Sequence, residues 1–169
     1  MKRFMVALFL LLALPLSVQA AEAVKIGSVD IQKVLLNSEA GKVAKEQLAE
    51  KAAKYEGEKT TRETELKKLK GELEGQSALL NESARSTKER DYQQRLKDYQ
   101  RFLKDAQDDL QAKNDEFTSK LVDQIVKVAQ EYGRKHGYTA IFVKSEVLLY
   151  LDPAADVTDQ VMKAFNEKK

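Results

Sequence analysis

The sequence predicts an α+β chain: a long antiparallel coiled-coil helical hairpin projecting from a small β body that other subunits complete. Three observations carry this. One third of the residues are charged, Trp is absent and Pro occurs twice, which suits long exposed helices better than a compact globule. Apolar residues recur at four-three spacing through two long stretches without Pro, the mark of a coiled coil. The strand-like segments outside those stretches are few and short. With no Cys and one His, neither disulfides nor a thiolate or histidine metal cluster staples them. Oligomerisation is the remaining route, and the open edges of so small a sheet invite pairing between chains.

The opening "MKRFMVALFLLLALPLSVQA" places Lys2 and Arg3 before an apolar run from Phe4 to Leu16, with small residues Val18 and Ala20 at its end. This pattern is a secretory signal peptide over 1–20. The run is short for a membrane span of about 20 residues. The mature chain is therefore expected to start near Ala21 and to reside in the periplasm. The lack of Cys excludes a lipidated cysteine anchor. Without Lys2 and Arg3 the chain holds 27 basic and 27 acidic residues, a balance that argues against nucleic acid as a partner.

From Val24 to Asp30, "VKIGSVD" alternates as a strand does. "IQKVLLNS" follows as a short helical piece, and a very long helical region opens near Ser38 or Glu39. The first arm carries its seam on Leu48, Ala52, Tyr55, Lys59, Arg62, Leu66, Leu69 and Leu73, with Lys59 and Arg62 as polar breaks. The second carries Tyr92, Leu96, Tyr99, Leu103, Ala106, Leu110, Lys113 and Phe117. Gly75, Asn81 and Ser83 punctuate the stretch between them. Asn81 is a natural cap for the second helix, so the turn is placed at about 75–82. Comparing arm lengths alone moves it towards Ser86.

After Phe117 the spacing widens to Leu121, Ile125, Val128 and Tyr132, as where a helix enters a core. Gly137 stands where a left-handed helix end belongs, after Arg134, Lys135 and His136. "YTAIFV" (138–143) and "VLLYL" (147–151) read as two strands joined by a tight turn at Lys144–Glu146. A turn at Pro153 leads to a terminal helix capped by Asp156 or Thr158, with Val157, Val161, Met162 and Phe165 on its apolar face. The division is thus a body of 21–38 and 137–169 and an arm of 39–136. Body residues expected at the oligomer contact are Val24, Ile26, Val29, Tyr138, Ile141, Val143, Leu148 and Tyr150.

Signals for catalysis are absent from the sequence. There is no GxSxG, no phosphate-binding glycine loop and no HExxH. His136, the one histidine, sits where a helix end favours a cation. Paired carboxylates such as Asp108 and Asp109 lie on a charged helix surface. The chain is therefore read as a non-enzyme that needs no cofactor and no metal. Residues 85–104 carry seven basic and three acidic side chains, either a solvated coiled-coil surface or a face for acidic clients or lipid head groups. Candidate contact residues are Leu79, Leu80, Arg85, Lys88, Arg90, Arg95, Arg101 and Phe102. Phe102 either faces the side of the hairpin or widens the seam by one residue.

These parts together resemble the Skp (OmpH-like) family of periplasmic outer-membrane-protein chaperones. The resemblance covers the whole chain: the signal ending "VQAAEA", "KIGSVDIQKVLLNS", the long hairpin, "HGYTAIFV" and the closing "VLLYLDPAADVTDQVMKAFN". The closing segment is the most specific part of it. The resemblance implies a homotrimer in which three subunits build one β body. Three arms then surround a cavity that holds unfolded outer-membrane proteins without ATP. Anionic lipid or lipopolysaccharide is a further partner it raises. Skp proteins are strongly basic, whereas this mature chain is balanced, so its positive charge has to be concentrated near the arm tips. A structural or adaptor protein of the envelope, whose hairpin binds a folded partner, is the rival reading. It predicts indifference to unfolded clients.

Overall fold

The computed structural model describes residues 24–75 and 81–168; the expected signal peptide and the candidates Leu79 and Leu80 lie outside them. Strand β1 spans Ile26–Val29. It is followed by helices α1 (Ile31–Asn37), α2 (Glu39–Gly75) and α3 (Glu82–Lys135). Strand β2 (Ala140–Val143), a 3-10 turn (Pro153–Ala155) and helix α4 (Thr158–Glu167) complete the described chain.

β1 and β2 pair in parallel, with Ile26 opposite Ala140 and Val29 opposite Val143. Parallel neighbours need a long crossover, and here three helices provide it. On the other side of β1, Ser28 bridges Asp156, and the Val157 amide donates to the Ser28 carbonyl at 2.8 Å. The core lies where these pieces meet α3. Val34, Ile125 and Val161 are fully buried there, packed with Val29, Leu121, Val128, Val157 and Phe165. Burying an aliphatic side chain this completely contributes about 1.5–3 kcal/mol, and the alternation of apolar residues on α1, α3 and α4 exists to make it.

Helix ends follow local chemistry. Asp30 accepts from the Lys33 amide at 2.8 Å and starts α1. Asn81 accepts from the Ala84 amide at 2.8 Å and starts α3, as its side-chain oxygen predicts. At the other end of α3, Gly137 has φ +68°. The Tyr138 amide reaches the Gly133 carbonyl at 2.9 Å and the Gly137 amide reaches Arg134 at 3.5 Å. That pair of bonds is a Schellman ending. The cap position of α4 is Val157, which has no capping side-chain bond, instead of the expected Asp156 or Thr158; Asp156, one residue earlier, accepts from the Thr158 amide at 2.9 Å. Thr158 uses its own hydroxyl to accept from the Asp30 amide at 2.9 Å, tying the end of β1 to the start of α4.

One expected strand is not present. Residues 147–151 form no strand, and the turn before them closes at Ser145–Leu148, where the Leu148 amide donates to Ser145 at 3.0 Å, instead of at 144–146. The sheet therefore has two strands, not three. Asp156 bridges the far side of β1, and residues 147–151 do not pair with the remaining free edge of β2 either. Three side chains of this segment stay in solvent, Val147 and, at 97% and 79% exposed, Leu149 and Tyr150, while Leu148 and Leu151 are half-buried.

The arm is antiparallel and its register is set by polar cross-links. Asp109 of α3 receives Lys51 Nζ at 2.5 Å and the Tyr55 hydroxyl at 2.7 Å. Further out, Tyr99 donates to Glu63 at 2.5 Å, Arg95 to Glu65 at 3.1 Å and Lys88 to Glu72 at 2.7 Å. These pairs converge on a turn centred near residue 80. Leu48, Tyr55, Lys59, Arg62, Leu66, Leu69 and Leu73 are half-buried along α2, whereas Ala52, also expected on the seam, is exposed because its short side chain does not reach across. On α3 the seam departs from expectation at one place: Leu103 is 38% exposed, and Phe102 is half-buried in its stead. A straight helix drifts against a 3.5-residue repeat, and the α2 partners Tyr55 and Arg62 lie on the Phe102 side. Phe102 therefore widens the seam.

Candidate functional site

Two surfaces stand out. The first is the body edge. Val24, Ile26, Phe142, Val143, Val147, Leu149 and Tyr150 are all exposed in the single chain. Among the expected body residues, Val24, Ile26, Val143 and Tyr150 are therefore open, Tyr138, Ile141 and Leu148 are half-buried, and Val29 is in the core. Contiguous apolar surface beside an open strand marks an interaction site. Phe142, Val147 and Leu149 belong to it as well. Their exposure follows from the missing intrachain strand, which residue patterning does not reveal.

The second surface is the outer half of the arm. Its cations divide by geometry. Lys88 and Arg95 spend their charge across the arm on Glu72 and Glu65, and Arg95 also bonds Asp91. Arg85 pairs with Glu89 on its own helix. Arg90 bonds the Thr87 hydroxyl at 3.4 Å. Arg101 makes no ion pair among the described residues, and neither do Lys97 and Lys104; all three are exposed. At α-helical spacing Arg90, Lys97, Arg101 and Lys104 fall on one face, opposite the seam. Phe102, by contrast, sits between the helices, edge-on to Tyr55 and under the Arg62 guanidinium at 4.4 Å.

The carboxylates that hold the arm are perturbed in the direction of their contacts. Lys51 and the Tyr55 hydroxyl hold Asp109 below the usual carboxylate range, and Lys88 does the same to Glu72. The Tyr55 and Tyr99 phenols are pushed up, chiefly by hydrogen bonds to Asp109 and Glu63. These shifts belong to cross-links. His136 follows the last turn of α3: its ring stacks on Tyr132 at 4.2 Å and its carbonyl accepts from Lys25 Nζ at 3.0 Å. Among the described residues no three His, Asp or Glu side chains gather as a metal site, and no helix is long and apolar enough to cross a membrane.

A long polar arm on a small body is a layout shared with known proteins. The model of the family described as outer membrane protein (OmpH-like) matches residues 25–165, body and arm alike. The chain belongs to the OmpH-like family. The fold agrees with that. A crystal structure from Caulobacter crescentus CB15, assigned as an outer membrane chaperone (OmpH-like), superposes with a TM-score of 0.81. It is 17% identical in sequence, and 88% of each chain is covered. At that identity the likeness speaks for the OmpH-like fold. No curated protein sequence is significantly similar to the chain.

Proposed function

We propose that this OmpH-like chain is an ATP-independent periplasmic holdase. It would bind unfolded outer-membrane proteins and prevent their aggregation on the way to the outer membrane. The observation that carries the reading is the division of surface. The body exposes Phe142, Val147, Leu149 and Tyr150, whereas the arm is wet on every side but its seam.

A body with such an edge is completed by copies of itself. The resemblance described above supports a homotrimer for that assembly, with "VLLYL" as a strand contributed between subunits. Three arms of ~55 Å, at 1.5 Å per residue for α2, then flank a cavity. β-barrel precursors do not fold in water, and their alternating apolar strands aggregate there. Many weak contacts from Arg85, Lys88, Arg90, Arg95 and Arg101, and from Leu79 and Leu80 beyond the described residues, hold such a chain without locking it; Phe102, taken up by the seam, is no longer among them. The stripe of Arg90, Lys97, Arg101 and Lys104 also suits anionic lipid or lipopolysaccharide head groups.

The test is light scattering of an unfolded porin-type protein diluted from denaturant. Near-stoichiometric trimer is expected to suppress the signal. Full aggregation in its presence, at a concentration where the assembly is intact, refutes the holdase reading.

A further inference from the structure

The two helices of the arm are anchored to the body in different ways. α3 runs unbroken from Glu82 to Lys135. Its buried Leu121, Ile125 and Val128 make it a continuous beam from core to tip. α2 begins at a corner instead. α1 ends at Asn37, Ser38 is extended (φ −68°, ψ 157°), and α2 starts at Glu39.

Three ties hold that corner. Ser38 is fully buried, and its hydroxyl accepts from the Gly41 amide at 3.1 Å. Gly41 is buried too, and a Cβ there would overlap the Leu35 carbonyl oxygen. The last turn of α1 and the first turn of α2 therefore meet backbone to backbone, and no other residue type fits. The third tie comes from α4: Asn166 Oδ1 accepts from the Glu39 amide at 3.0 Å, satisfying a donor that every helix start leaves open. Beside it lies a groove of about 470 Å³ lined by Ala40, Gln124, Lys127 and Phe165. At this point the root of α2 is joined to α4 through a hydrogen bond next to open space.

A beam and a strut fastened side by side bend only if one slides along the other. The cross-arm pairs on Asp109, Glu63, Glu65 and Glu72 resist sliding along the arm. At the root, the corner does so. A slide of one residue, ~1.5 Å, between helices ~9 Å apart swings the end of a ~55 Å arm by roughly 9 Å. We propose that the Ser38–Gly41 corner, held to α4 by Asn166, is the anchor that fixes the angle at which the arm leaves the body, and with it the width of client the arms can flank. The angle is a property of the chain itself; the statement about clients rests on the holdase reading.

The experiment uses the full chain, which has no native Cys. Cysteines introduced as Lys163→Cys on α4 and Ser86→Cys near the arm tip, both away from the core, take a pair of spin labels, and labelled chain is diluted into unlabelled chain. The body-to-tip distance distribution is then compared with and without Asn166→Ala or Ser38→Ala. Asn166 is exposed, so its replacement leaves the core intact, and helix content is checked by circular dichroism. The expected result is a distribution shifted or broadened by ~5 Å, the order set by the lever. Distributions in both variants that superimpose on the parent overturn the anchor. Aggregation assays with porin-type clients of increasing length read the second half separately. Asn166→Ala is expected to extend protection to longer clients, and an unchanged range overturns the link to client width while leaving the measured angle standing.

Discussion

Phe102 of α3 meets Tyr55 of α2 edge to face, with ring centroids 6.0 Å apart and planes at 72°. This pair, roofed by Arg62 at 4.4 Å from the Phe102 ring, is the main aromatic contact across the arm. Phe102→Ala is expected to lower stability by about 1–2 kcal/mol, less than the ~3–5 of a fully buried Phe because the ring is half in solvent. Leu103→Ala is expected to cost under ~0.5 kcal/mol. Urea unfolding followed at 222 nm decides between them, and a larger loss at Leu103 contradicts the observed seam.

Acid weakens the arm through its cross-links. Asp109 and Glu72 have folded values depressed by their lysine partners. Their contribution is complete above the unfolded carboxylate value, about 4, and is lost as pH falls through the lower folded values. The Tyr55 phenol is raised, so its contribution is present below about 10 and is lost as pH rises through the still higher folded value. Hydrogen exchange of arm amides is expected to be protected evenly between pH ~5 and ~8 once corrected for intrinsic rates. Protection falls below about pH 4, and Asp109→Asn flattens that fall. An acid dependence as steep in Asp109→Asn as in the parent assigns the effect elsewhere.

The same substitution has opposite signs at two glycines. Gly137 holds φ +68°, so Gly137→Ala is expected to destabilise by about 1 kcal/mol. Gly71 lies inside α2 with open space where an alanine methyl group would stand, so Gly71→Ala is expected to stabilise by up to about 1 kcal/mol. Thermal melts of the two variants side by side check both signs.

The exposed body edge gives the proposed oligomer a direct test. Leu149 is 97% exposed in the single chain, so Leu149→Asp costs an isolated subunit almost nothing and buries a charge in an assembled one. Analytical ultracentrifugation is expected to find the parent at several chains per particle and the variant at one. A parent that sediments as a single chain removes the need for partners.

Much of the arm was legible in the sequence because its determinants are local. Seam spacing, the Asn81 cap and the Gly137 ending each depend on a few neighbouring residues, and each appears in the structure. Which of its two places Phe102 takes was not legible, since the facing Tyr55 and Arg62 decide it from roughly 40 residues or more away in sequence. The basic candidate contacts were all read alike, and that Arg101 makes no ion pair among the described residues was not legible. The pairing of Lys88 with Glu72 and of Arg95 with Glu65 depends on an arm register that charge counting does not reveal.

By itself, then, the sequence determined that this chain is a charged helical hairpin on a small body, because periodicity and capping are properties of the chain in one dimension. Tertiary structure decided the rest: that β1 and β2 run parallel, that Asp156 occupies the far side of β1, that "VLLYL" joins neither strand, and that Gly41 presses on Leu35 at the root of the arm. Each of these turns on how separate segments of the chain meet, and which backbone edge is already taken is settled only when all of them are folded together.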